Sequence, residues 1–191
     1  MERHSRYKLR TRAGWILFAT CFFASCTNKT ETEELRDFKK KIITIPTKQL
    51  IRKSCYLFSS DSLQLQAINI VHYIKNHNCV DCIAENVSVM ENIESDKKKM
   101  LQTCNVFIIS TVPQHEDEIY KKLCGKRIKG IVYLDTCDAF ITANPSFPDN
   151  YLFHTFVMTK SGKVLMVGNP FQNDRMEALF EKVIENEKRK Q

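Results

Sequence analysis

The sequence has no apolar run long enough to cross a bilayer as a helix, which takes about 20 residues. Its N-terminal apolar stretch, Trp15 to Ala24, falls well short of that. There is no internal repeat and no low-complexity segment, and glycine and proline number only five each, which excludes repetitive and fibrous architectures. A second CxxC, or a CxxC followed by paired histidines, is also missing, so the usual spacings of a structural zinc site are not met. The basic runs Lys39 to Lys41, Lys97 to Lys99 and Lys188 to Lys190 lie apart and carry no interleaved aromatic residues. They are solvated faces rather than a nucleic-acid surface.

What is present fits one domain: 191 residues at 43% hydrophobic content can build one real core and are too few for two. The formal charge of +7 is concentrated at the start, where Arg3, Arg6, Lys8, Arg10 and Arg12 face only Glu2. Beyond residue 25 there remain 24 basic and 21 acidic residues, a net +3, so no nucleic-acid partner is expected. Basic residues followed by a short apolar stretch have the form of a cleavable export signal over residues 1–25.

That stretch ends in Phe23-Ala24-Ser25-Cys26 and gives way to polar Thr27-Asn28-Lys29, which resembles the lipobox of bacterial lipoproteins. The resemblance implies cleavage before Cys26 and a lipid on its thiol. An ordinary signal peptide with an incidental cysteine is the alternative. Residues 26–41 then form a polar tether, and 42–191 the folded domain. Such a protein sits in the bacterial cell envelope, facing the periplasm or the cell surface. Export also permits disulfides. With Cys21 removed and Cys26 lipidated, six thiols remain: Cys55, Cys79, Cys82, Cys104, Cys124 and Cys137. Their pairing is not fixed by spacing.

Along the domain, Ala67 to Ile74 is β-branched and aromatic, the pattern of a strand. A helix is expected to follow from a cap at Asn78, with Ile83, Val87 and Met90 on its inner face and its end at the charged stretch Glu94 to Lys99. Cys104 to Thr111 contains a fully apolar run suited to the middle of a parallel sheet. Pro113 opens a second helix that acidic residues 116 to 118 favour and Gly125 ends. Gly130 to Asp135 is another strand. Residues 155–158 and 164–167 flank Lys160-Ser161-Gly162-Lys163 as a hairpin. A last helix carries Met176, Leu179, Phe180, Val183 and Ile184 inward, capped by Asp174 with Glu177. Its apolar stripe is core and not a cofactor site.

With a CxxC after the first core strand and a terminal hairpin and helix, the chain resembles the thioredoxin-like superfamily over roughly residues 68 to 187. The resemblance implies an α/β fold, a three-layer α/β/α sandwich with a mixed central sheet. The strand ending at Asp135 and the segment to Asn150 resemble the insertion of the TlpA-like and peroxiredoxin-like branch. The residues His154 to Met158, Gly162-Lys163-Val164 and Gly168-Asn169-Pro170 resemble the C-terminal half of thioredoxin-like envelope lipoproteins. Thioredoxins place a cis-proline just before the third core strand, facing the CxxC. Here that position is Phe153, for which an ordinary trans peptide is expected, because a cis bond before a non-proline costs about 3 to 4 kcal/mol.

The Cys79-Val80-Asp81-Cys82 motif suits dithiol chemistry, in which an exposed thiolate attacks a disulfide and a second thiol resolves the mixed disulfide. At a helix start the first cysteine has its thiolate favoured by peptide dipoles, so Cys79 is expected to attack and Cys82, one turn in and less accessible, to resolve. Asp81 opposes the thiolate; a protonated His77 compensates. Three readings stand: a membrane-tethered exchange protein acting on protein thiols or disulfides of the envelope; a non-catalytic binding domain with a structural disulfide; and metal binding by the pair with His72 or His77. No cofactor is expected. Cys104 and Cys124 read as buried small hydrophobes, and Cys55 has no reading. Cys137, after the strand ending at Asp135, is a candidate third thiol near the site. His154 reads as a packed strand-edge histidine, and Asp135-Thr136 as a strand-end turn.

Overall fold

The computed structural model describes residues 30–53, 64–75, 79–101, 103–126 and 128–190. The export signal, the lipobox with Cys26, and Cys55, His77 and Asn78 lie outside them. The elements are α1 (Glu31–Phe38), β1 (Ile51–Lys53), β2 (Ile68–Ile74), α2 (Val80–Leu101), β3 (Thr103–Ser110), α3 (Glu116–Gly125), β4 (Ile131–Asp135), α4 (Ala139–Ala143), β5 (Thr155–Thr159), β6 (Val164–Val167) and α5 (Asp174–Lys188). Short 3₁₀ turns at Pro113–His115 and Tyr151–Phe153 precede α3 and β5.

One six-stranded mixed sheet runs β1-β4-β3-β2-β5-β6. The central β2, β3 and β4 are parallel, with α2 crossing over from β2 to β3 and α3 from β3 to β4, while β1, β5 and β6 pair antiparallel. β2 and β3 are buried almost throughout, which is why they read as continuous apolar runs rather than alternating ones. On one sheet face, Phe107, Ile109, Val132 and Leu134 meet Val80, Ile83, Ala84 and Val87 of α2 and Ile119 and Leu123 of α3. Phe180 and Ile184 of α5 cover Ile68, Ile70, Val157 and Met166 on that same face. The other face, with Val71, Tyr73, Val106, Ile108 and Phe156, is covered by Phe38 of α1, Phe140 of α4 and the connecting residues Ile43, Leu50 and Phe153. The chain is thus an α/β/α sandwich with a mixed central sheet, as the resemblance implied.

Four local expectations change. Residues 31–38, expected within a polar tether, form α1. Its start is a capping box, in which the Thr30 hydroxyl accepts the Glu33 N–H at 3.4 Å and the Glu33 carboxylate accepts the Thr30 N–H at 3.2 Å. Its end is anchored by Phe38, 2% exposed, whose ring meets those of Phe147, Phe153 and Phe156 at 5.5, 6.3 and 5.4 Å. α1 therefore packs with the domain, ahead of the expected boundary at residue 42. Downstream of α1, Asn144 ties the chain to α4, donating to the Thr44 carbonyl and accepting its N–H. α2 runs on to Leu101 instead of ending at Glu94 to Lys99, because glutamate and lysine are good helix formers and a charged stretch does not stop a helix. The cap of α5 is Asn173, which accepts the Met176 N–H at 3.0 Å, one residue before the expected Asp174. β1 and α4 had no counterpart in the sequence pattern.

Candidate functional site

Parallel strands all point their carboxyl ends to one edge of a sheet, and helix N-termini gather there. At this edge β2 ends at Ile74 and α2 begins at Val80, with Cys79 just ahead of it. The Cys79 carbonyl accepts the Ile83 N–H at 3.1 Å, which makes Cys79 the N-cap of α2. Its sulfur also accepts the Cys82 N–H, at 3.3 Å. The two cysteines are joined as a disulfide, with their Cα atoms 5.3 Å apart.

The exposure of the two sulfur-bearing residues runs opposite to the sequence expectation. Cys79 is half-buried and Cys82 is exposed. The inward stripe of α2 is Val80, Ile83, Ala84 and Val87, which leaves Cys82 outward with Asp81, Glu85 and Asn86. Asp81, expected to disfavour a thiolate, is paired with Lys122 of α3 at 2.7 Å, and Lys122 is raised by that hydrogen bond and by the carboxylate's charge. Glu85 is paired likewise with Lys126 at 2.5 Å. Both pairs are exposed and screened by salt, but they leave the outer face of α2 without an uncompensated carboxylate beside the disulfide.

Further along the same edge, beyond the ends of β3 and β4, stand Ser110, Asp135, Cys137 and Asp138. Asp135 is 1% exposed, and its carboxylate accepts the N–H groups of Cys137, Ala139 and Phe140 at 3.4, 2.8 and 2.9 Å. The strand-end turn thus also satisfies the first N–H groups of α4, whose N-cap residue is Asp138. Cys137 is an exposed free thiol. Asp138 has a φ of 54°, in the left-handed region, and accepts from the Ser110 hydroxyl at 3.4 Å. Ser110 also bonds the Tyr73 hydroxyl, whose pKa burial raises despite that bond.

His154 completes this set. Its carbonyl accepts the Tyr73 N–H at 2.8 Å, and its Nε2 donates to the Pro148 carbonyl at 3.1 Å. Burial lowers its pKa. Tyr73, Lys75, Asp138, Phe147, Asp149 and His154 line a cavity of about 180 Å³. Sequence reasoning missed the association of Tyr73, Ser110 and Asp138. The signal available was their shared place at the carboxyl ends of the parallel strands.

The remaining sequence candidates fall elsewhere. Phe153 is in a trans peptide, as are all described residues, and its ring stacks on Phe38 in the core layer opposite α2. His72 is buried, stacked on Phe107 at 4.9 Å with Nδ1 3.3 Å from the Thr155 hydroxyl. Among the described residues no group of His, Cys, Asp and Glu is arranged to hold a metal ion, and no helix is long and apolar enough to cross a membrane. Cys104 packs against the core and its thiol donates to the Asn105 carbonyl at 3.2 Å. Cys124, expected as a buried hydrophobe, is instead half-exposed and disulfide-bonded. It follows Leu123, the inward residue of α3, so the helix turns it toward the flank.

The fold is an α/β/α sandwich on a mixed six-stranded sheet, in which β4 and the segment to Asn150 follow the parallel β2–α2–β3–α3 unit. No family model matches the chain, and no curated protein matches it. Among solved structures, an uncharacterised thioredoxin-like protein from Porphyromonas gingivalis is 16% identical, covering 73% of this chain and 88% of its own, with a TM-score of 0.47. A thioredoxin-like protein in its oxidised form is 15% identical over 78% of this chain and 97% of its own, also with a TM-score of 0.47. A putative thiol:disulfide interchange protein DsbE from Chlorobium tepidum is 14% identical over 62% and 80%, with a TM-score of 0.43.

Proposed function

We propose that this chain is a thiol–disulfide exchange protein of the bacterial envelope, held to a membrane by a lipid on Cys26 and acting on protein thiols or disulfides through Cys79 and Cys82. The observation that carries the reading is a disulfide seated at the N-terminus of a 22-residue helix with one of its cysteines exposed. Helix dipoles and the Cys82 N–H stabilise a thiolate at Cys79, and exposure admits a partner sulfur. Two partner thiols then become a disulfide as the pair is reduced, or the reverse.

A structural disulfide in a binding domain is the competing reading, and the lack of a proline in residues 149–154, just ahead of β5, favours it. Equilibration with glutathione and dithiothreitol buffers, followed by alkylation and mass spectrometry, separates the two. An exchanger has its midpoint between about −120 and −270 mV, whereas a pair still oxidised below about −300 mV is a staple. For the tether, Cys26→Ser is expected to move the protein from the membrane fraction to the soluble one. If the variant stays with the membrane, the lipid anchor is wrong.

A further inference from the structure

Resting on the exchange reading, we infer that Cys82, not Cys79, is the sulfur through which partner thiols are joined to this protein. Thiol–disulfide exchange is an in-line displacement, so the attacked sulfur must be open on the side away from its leaving partner, and the departing sulfur must carry negative charge well. The two requirements fall on different cysteines here. Cys82 lies on the outward face of α2 among exposed Asp81, Glu85 and Asn86. Lys122 and Lys126 pair with the two carboxylates there, so an approaching thiolate does not meet bare negative charge. Cys79 is half-buried, and its sulfur already accepts the Cys82 N–H at the positive end of the helix. It is the better leaving group and the less accessible target.

The step balances as follows. A partner thiolate attacks Cys82 Sγ; the new bond joins Cys82 to the partner, the Cys79–Cys82 bond breaks, and its electron pair leaves on Cys79 Sγ as a thiolate. A second partner thiolate attacks the partner sulfur of the mixed disulfide. That step forms the partner disulfide and releases Cys82 as a thiolate, which takes up a proton. Two partner thiols are oxidised and one protein disulfide is reduced.

The test uses the oxidised full chain carrying Cys137→Ser, so that the exposed third thiol does not trap the probe. Reduced glutathione is added, the reaction is stopped within milliseconds to seconds by acid, and free thiols are capped with N-ethylmaleimide. Trypsin leaves both cysteines in the peptide 76–97, and fragmentation between them locates each label. Glutathione on Cys82 with maleimide on Cys79 is expected in excess of about tenfold over the reverse arrangement. Equal labelling, or glutathione mainly on Cys79, overturns the assignment and leaves the exchange function standing. A pair that takes no glutathione at all, even at long times, overturns the exchange function itself.

Discussion

Replacing both members of the pair, as Cys79→Ser with Cys82→Ser, is expected to lower the stability of the domain by about 2 kcal/mol. The bond closes a loop of sequence separation 3. The chain-entropy relation for so short a ring gives about 2 kcal/mol at 25 °C, against about 3 for a 15-residue loop. Little else is lost. α2 is held to the sheet by Val80, Ile83, Ala84 and Val87, all buried, and not by the disulfide. Serine is itself a favoured N-cap residue, so the start of α2 keeps an acceptor for its N–H groups.

Urea unfolding without reductant, which leaves the Cys124 bridge intact, measures the difference. For a domain of this size the same loss appears as a fall in Tm of about 4–8 °C. A loss above about 4 kcal/mol, or a change in the slope of the urea transition, would refute the reasoning. It would mean that the bond organises the fold and cannot open and close in a working exchanger.

Three further outcomes are expected. Lys122→Met leaves the Asp81 charge uncompensated beside the pair, which disfavours the thiolate of the reduced form. The pair should then become more reducing in glutathione buffers, and the effect should vanish in about 1 M salt; an unchanged potential at low salt counts against this electrostatic account. His154 has its pKa lowered by burial, so as pH falls below 6.5 the unfolded chain takes up a proton that the folded one resists, and stability declines. His154→Gln should flatten that decline, and parallel urea profiles for the two proteins would show that His154 plays no part in it. Phe38→Ala, which empties a site walled by three aromatic rings, should cost about 3–5 kcal/mol. A loss below about 1 kcal/mol would place α1 outside the cooperative unit.

The sheet and its covering helices were legible because their signals are local and repeated. Val106 to Ile109 is a buried central strand, Ile119 and Leu123 form an inward stripe, and Gly162, with a φ of 88°, sits where the hairpin turn needs it. The elements missed were those made by distant contacts. α1 has a polar sequence and a single aromatic anchor, Phe38. Its partners Phe147, Phe153 and Phe156, more than a hundred residues on, make it part of the domain. β1 is three residues long and owes its existence to the open edge of β4. The capping box at Thr30 and Glu33 was the one local clue to α1.

The orientation of the site was missed for a more specific reason. Cys82 was expected to be less accessible because it lies one turn into α2, and Ile83, Val87 and Met90 suggest an inner face that leaves it at the flank. The structure centres the stripe further round the helix, on Val80, Ile83, Ala84, Val87 and Glu91, and leaves Met90 half-buried. Because each helical residue advances about 100°, that shift carries Cys82 to the side opposite the core. The residue that hid the true stripe is Glu91, a charged side chain where an apolar one is expected. It is 6% exposed because its carboxylate accepts the Lys129 N–H at 3.2 Å and the Asn105 side-chain amide at 3.0 Å. These bonds satisfy a buried acceptor that would otherwise forbid this rotation of the helix. The outward placement of Cys82 near the start of α2 is therefore set in part by a carboxylate more than two turns away, paired to β3 and to the approach to β4.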